Sequence, residues 1–133
     1  MKYLLDTNTC IRYINGRSPE ILEKLRKTPR ADVVVSIITK AELFYGSAKS
    51  QTPARSREKQ REFLETIQTV FLDERCAVIY GDLRAYLEMQ GTPIGANDLW
   101  IATTALANDL ILVTHNTREF ERVPQLNLED WQI

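Results

Sequence analysis

The sequence predicts an α/β fold, a central, mostly parallel sheet with helices on both faces, and three observations carry that expectation. Short runs of branched and apolar residues, at Tyr3 to Leu5, in the VVV within Asp32 to Ser36 and at Leu110 to Val113, read as buried strands. Longer segments with helical spacing lie between them, and such alternation builds a parallel sheet covered on both sides. Two of the strands then stop on small polar residues, Asp6-Thr7-Asn8 and Thr114-His115-Asn116. In open parallel sheets the crevice beyond the carboxyl ends of the strands is where ligands bind.

Composition narrows the class. At 133 residues and 44% hydrophobic content the chain is expected to form one domain, residues 1–133, with a core of its own. Seventeen Lys and Arg oppose eighteen Asp and Glu, so bulk charge does not draw nucleic acid and any basic surface must be local. Cys10 and Cys76 form no ligand spacing, and a single histidine, His115, cannot build a histidine-based centre, which argues against zinc. No apolar run reaches bilayer length and the N-terminus lacks a signal-peptide pattern. A reduced, cytoplasmic protein with no membrane association is expected.

Taken in order, the first strand ends on Asp6, and Ile11, Tyr13 and Ile14 follow on a short helix stopped by Asn15 and Gly16, which tolerate left-handed geometry. Ser18 and Pro19 open a second helix as cap and first helical residue, with Ile21, Leu22 and Leu25 inward. After the VVV strand, Ser36 is placed to cap the helix that bears Glu42. Gln51 to Ser56 reads as a polar break before a charge-rich helix with the apolar stripe Phe63, Leu64, Ile67 and Val70. Its Arg55, Arg57 and Arg61 are either an RNA-facing set or a solvated face. Asp73 caps a long helix with Cys76, Tyr80, Leu83 and Leu87 inward and Asp82 and Glu88 outward, ended by Gly91. Past the TPIG loop, Thr92 to Gly95, a helix from Ala96 onward is apolar almost all round and is predicted to be central. Glu119 and Glu121 are assigned to a short polar turn, and Leu126 to Leu128 to a last, edge strand.

Such a fold brings four polar positions together. Asp6 ends one strand, Glu42 sits on the helix after the second, Asp98 lies in the first turn of the central helix, and Asn116 follows the strand ending at Val113. Each has a plainer reading. Asp6 is a good N-cap. Glu42, among Ile38, Ala41, Leu43, Phe44 and Tyr45, needs a distant arginine, a hydrated edge or a metal ion to stay charged. Asp98 suits a helix start, where the dipole favours the ionised form by about 0.3–1 kcal/mol. Brought together, however, carboxylates repel one another unless a divalent cation neutralises them, and oxygen-only ligands suit magnesium or manganese. That pattern points to metal-assisted phosphodiester cleavage, which needs no histidine or serine nucleophile.

The stretches YLLDTN, SIITKAELFYG, GANDLWIATTALAND and LVTHNTREFERV, in that order and spacing, resemble the PIN-domain ribonucleases, and within them the VapC toxins of bacterial toxin-antitoxin pairs. The resemblance covers the whole chain. It implies a PIN-like three-layer sandwich and an endoribonuclease that uses Mg2+, with Mn2+ able to substitute, and cuts structured RNA such as tRNA to inhibit translation. It also implies a homodimer and a hetero-oligomer with a cognate VapB-type antitoxin whose C-terminal arm blocks the active-site groove. Carried onto this sequence, Asp6, Glu42 and Asp98 match the characteristic acids, and Thr7, Asn8 and Thr114 match the polar positions beside them. Asn116 departs from the pattern, since many relatives have an aspartate there. Three carboxylates then remain and one dominant metal is expected; Glu119 is an alternative source of the missing charge, but the preferred reading has Asn116 holding a metal-bound water or a phosphate oxygen and Glu119 in its turn. Two other readings compete. The haloacid-dehalogenase phosphatases also begin with a strand ending in an aspartate, but Asn8 stands where their second aspartate gives a proton. The second is a non-catalytic RNA- or protein-binding module whose acids pair with arginines of this chain or of a partner.

Overall fold

Period-two alternation in the central strands divides the interior between two cores. The computed structural model describes residues 1–133, with strands β1 (Tyr3–Leu5), β2 (Val33–Ser36), β3 (Gln68–Val70), β4 (Ile111–Val113) and β5 (Leu128–Glu129). They form one sheet in the order β3-β2-β1-β4-β5, and every pair is parallel. Leu4, Val34 and Leu112 are in register and face one side. Leu5, Val35 and Val113, one residue on, face the other.

Each face is covered by helices. Against the Leu5 face pack α1 (Thr7–Ile14), α2 (Pro19–Lys27), α3 (Ile37–Ala48) and α4 (Pro53–Leu64), through Cys10, Ile21, Leu25, Leu43, Phe63 and Leu64. Against the Leu4 face pack α5 (Glu74–Met89), α6 (Ala96–Ala107) and the single turn α7 (Thr117–Phe120), through Leu83, Leu87, Leu99, Ile101, Ala105 and Phe120. The expected three-layer sandwich results, with seven buried residues on α6. Each fully buried leucine or isoleucine contributes roughly 1.5–3 kcal/mol. The expected caps form: Ser18 Oγ accepts from the Ile21 amide at 3.2 Å, Ser36 Oγ from Ile38 at 3.1 Å, and Asp73 Oδ1 from Cys76 at 3.0 Å. Gly16 and Gly91 close their helices with φ of 65° and 71°, where a side chain would be strained. Both cysteines are buried and free, and no helix is long and apolar enough to cross a membrane.

Several boundaries differ from expectation. Helix α4 starts at Pro53, inside the expected break, and ends at Leu64, so Ile67 and Val70 do not continue its stripe. Gln68–Val70 instead pairs with Val34–Ser36 as β3. A three-residue strand is too short to show its own period, and the spacing of Phe63, Ile67 and Val70 mimics a helix. The last strand is Leu128–Glu129 rather than Leu126 to Leu128, because the chain is still turning at Gln125, whose φ is 67°. Leu110 closes α6 through its amide to Ala105 O and β4 begins one residue later. Glu119 lies within α7 and Glu121 caps its end.

The connections place the crevice. From β1 the chain runs outward through β2 and β3, then crosses back to β4 and β5 on the other side. Beyond the carboxyl ends of β1 and β4 the connections diverge, and a cleft opens there.

Candidate active site

Asp6 directly follows β1 and is 4% exposed. Its Oδ1 accepts from the Thr9 amide at 2.8 Å, so the capping reading holds, and it does not compete with a site role. Burial pushes the Asp6 carboxyl above its ordinary value, hydrogen bonds from Thr114 and Thr9 pull it back, and the charge of Glu42 adds to the rise. Thr114, fully buried at the end of β4, also accepts from the Asn116 amide at 3.0 Å. The two strand ends are thereby tied together at the switch point.

Glu42 is not stranded among apolar neighbours as its helix suggested. It is half-buried, with Ala41 and Tyr45 beside it exposed, and its Oε1 accepts from Thr7 Oγ1 at 2.5 Å. Thr7 Oγ1 also lies 3.1 Å from Thr39 Oγ1, and Asn97 Nδ2 approaches Glu42 Oε2 at 3.4 Å. Groups from α1 and α6 thus meet on this carboxylate of α3.

Asp98, half-buried in the first turn of α6, has its pKa pushed up to about 6. Burial is the first cause, followed by the charges of Glu119, Glu42 and Asp6. The helix dipole was expected to favour the ionised form, but it acts from one side only and is outweighed by desolvation and three like charges. Asn116, exposed past β4, donates from Nδ2 to Glu119 Oε2 at 3.0 Å. Through the charge of Glu119 on Asp98, this turn lies beside the site rather than in its lining. Sequence reasoning weighs Glu119 as a substitute for the missing acid and then assigns it to its turn, and its only signal is a spacing of three residues from Asn116.

Asp6, Thr7, Asn8, Glu42, Asn97 and Asp98 line an open depression of about 630 Å³, with Tyr45 and Lys49 on its rim. Asn116 and Glu119 stand outside that lining, and Glu119 acts on it through its charge on Asp98. None of these acids is in an ion pair, since the salt bridges of the fold are Lys27 with Glu23, Arg84 with Glu88, and His115 with Asp130. Pairing with arginines of this chain is thus not what holds the acids together. Nor do any three of them close into a ready-made chelating group. The donors are carboxylate, hydroxyl and amide oxygens around a like-charged cluster, which fits a hard divalent cation completing its shell with water and substrate oxygens.

The three arginines of α4 do not act as a set. Arg57 donates to Ser47 Oγ at 2.8 Å and to Phe44 O at 2.9 Å, and its guanidinium sits 4.7 Å from the Phe44 ring. Arg61 lies 5.7 Å from the same ring. Arg55 is exposed, makes no ion pair, and lines a neighbouring cavity.

Comparison with known proteins agrees with this geometry. Residues 3–126 match the PIN domain family. The chain is 39% identical over 132 residues to the tRNA(fMet)-specific endonuclease VapC of Salmonella typhimurium, covering 98% of each chain. It is 40% identical over 131 residues to the protein of the same description from Shigella flexneri, again covering 98% of each. Among solved structures it is similar to DNA-bound VapBC from Salmonella typhimurium, with a TM-score of 0.94, 38% identity and 98% of both chains covered.

Proposed function

Since this chain belongs to the PIN domain family, we propose that it is the toxin of a type II toxin-antitoxin pair, a metal-dependent endoribonuclease that cleaves structured RNA and so inhibits translation. The observation that carries this reading is the unpaired acid cluster, in which burial first and then the charges of Glu119, Glu42 and Asp6 raise Asp98 to about 6. Like charges held together without a cation of the chain's own call for one from solution.

Asp6, Glu42 and Asp98 hold a divalent cation in this reading, Mg2+ with Mn2+ as substitute, and Asn116 and Glu119 flank it. A bound ion of this kind supplies charge neutralisation at the scissile phosphate and lowers the pKa of water beside it. The chain's own residues prepare the place. Thr9 and Thr114 fix the Asp6 carboxylate, and Thr7 fixes Glu42. Burial of the Asp6 carboxylate strengthens the interactions it makes. Asn8, exposed on the lining, is placed to contact substrate.

Relatives named as tRNA(fMet)-specific endonucleases support a tRNA substrate, and structures of VapBC complexes support a VapB-type antitoxin and a hetero-oligomer. We also assign a homodimer, a cytoplasmic setting and action as one domain over residues 1–133. The test is incubation of purified protein with total cellular RNA, with Mg2+ or with a chelator, and mapping of the new ends. Discrete cation-dependent cuts that vanish in Asp98→Asn are expected. A folded protein that binds RNA but cuts nothing with any divalent cation would be a binding module.

A further inference from the structure

Beside the acidic depression lies a second concavity of about 400 Å³, walled by α1, α3 and α4. The two share Ile11, Glu42 and Gly46, so one groove runs from the acids across α3. Gly46 leaves the crossing clear: a Cβ added there would meet nothing within 4 Å. The far wall is α4, which contributes Arg55, Lys59 and Gln60. Arg55 and Lys59 are one helical turn apart, both exposed, and neither forms an ion pair.

Gln60 is the unusual member. It is 9% exposed, and its Nε2 donates to Leu43 O at 2.8 Å, while Oε1 is buried without any partner. The amide cannot be turned over, because that would set Oε1 against a carbonyl oxygen. A buried acceptor left empty is costly, so this position calls for a donor that the chain does not supply.

We infer that this concavity is a base-binding subsite, in which a nucleotide flanking the scissile phosphate places its phosphate on Arg55 and Lys59 and, as the side chains covering Gln60 Oε1 part to admit the ring, an exocyclic amino group of its base on that oxygen. The inference rests on the ribonuclease reading and adds a specificity element to it. Cytosine, adenine and guanine carry such an amino group, whereas the donor on uracil's pairing edge is a ring N3–H, set back between two carbonyl groups. Ile11, Ile14 and Leu43 supply apolar surface for the ring, as unstacked RNA bases require. The charge gradient fits as well. Glu42 on the shared wall repels phosphate unless an ion sits by the acids, whereas the cations of α4 accept it unaided.

Titration of the labelled protein with cytidine or uridine 5′-monophosphate, in chelator, read by NMR, tests the subsite without any cleavage. Cytidine monophosphate is expected to shift the Gln60 side-chain amide and the Gly46 backbone amide, and to half-saturate at a concentration about fivefold below that of the uridine nucleotide. The double variant Arg55→Ala, Lys59→Ala should weaken both nucleotides by about tenfold or more and keep the preference. Gln60→Met should level the two nucleotides. Should Gln60→Met not fold, the shift map and the cation variant on the otherwise unchanged chain decide the matter. Equal affinity for the two nucleotides, or shifts confined to the acidic depression, overturns the inference. So do Gln60 and Gly46 signals that ignore nucleotide yet move when a co-expressed antitoxin binds, an outcome that assigns the cavity to the protein partner. Failure of the ribonuclease reading would appear separately, as absence of cleavage in the RNA assay.

Discussion

Asn116 Nδ2 donates to Glu119 Oε2 across 3.0 Å, and the carboxylate it holds is one whose charge reaches Asp98. From the sequence, Asn116 stands for a missing acid, three carboxylates remain, and one dominant ion is expected. In the fold Glu119 restores a fourth negative charge, and among the charges that raise Asp98 it acts most strongly. Two divalent ions are then balanced where three carboxylates would leave the second short. Glu119→Gln is expected to lower the Asp98 pKa and to weaken a second Mg2+ or Mn2+ more than the first. Calorimetric titration of the RNA-free protein reads both. Unchanged cation binding in that variant would return Glu119 to a purely local role.

The pH dependence follows from Asp98, which moves from an ordinary 3.8 to about 6 in the fold. Between those values the folded chain binds more protons than the unfolded one, so stability must fall as pH rises. The cation-free protein is expected to lose stability from about pH 4 to about pH 6, and Asp98→Asn to lose less. The difference between the two urea-unfolding series isolates the group. Divalent cation must displace the same proton, so cation affinity should drop as pH falls below about 6. A variant and parent with parallel stability profiles would contradict the assignment.

Arg57 is expected to matter for stability where Arg55 does not. It joins α4 to the end of α3 through Ser47 Oγ and Phe44 O and rests on the Phe44 ring. Arg57→Ala leaves a half-buried carbonyl and hydroxyl without their charged donor, a loss of about 1.5–3 kcal/mol. Arg55→Ala removes an exposed cation with no ion-pair partner and should stay within about 0.5 kcal/mol of the parent. Chemical denaturation of the two variants checks the contrast.

What the sequence revealed and what it hid have physical causes. Strands β1, β2 and β4 were legible because branched apolar runs ending on polar residues have few other readings. The caps Ser18, Ser36 and Asp73 were legible because capping is decided within three residues. Strand β3 was hidden because Ile67 and Val70 continue the spacing of Phe63, and only pairing with β2 reveals them as extended chain. The surroundings of Glu42 were misjudged for a related reason. Its helical neighbours suggested an apolar setting, but its principal partner, Thr7, lies 35 positions away in the chain. Asp6 and Asp98 could be proposed because strand ends and helix starts are local features. The reach of Glu119 to Asp98 is tertiary, and no local pattern encodes it.

Thr7 offers a test of how far the site depends on groups that orient its acids. Its hydroxyl contacts both Glu42 and Thr39, and removing an oriented partner of a metal-binding carboxylate typically lowers metal affinity by about 10–100-fold. Thr7→Val keeps the shape and loses the hydroxyl, so cation affinity and RNA cleavage should fall together while the fold survives. Thr7→Ser should recover most of both. Equal cation affinity in Thr7→Val and the parent would show that Glu42 needs no such support.

Asp6 combines two roles that substitution can separate. Its Oδ1 caps α1 through the Thr9 amide, and asparagine caps a helix as well as aspartate does. Its charge is buried, raised in pKa by desolvation and opposed by Glu42, so without a cation that charge works against the fold. Asp6→Asn should therefore melt no lower than the parent in chelator, and should lose the stabilisation that added Mg2+ gives the parent. Asp6→Ala removes cap and charge together and should be less stable than Asp6→Asn by about 1 kcal/mol. Thermal unfolding of the three proteins with and without Mg2+ separates the roles. If Mg2+ raises the melting temperature of Asp6→Asn as much as that of the parent, the carboxylate at the end of β1 is a cap and nothing more.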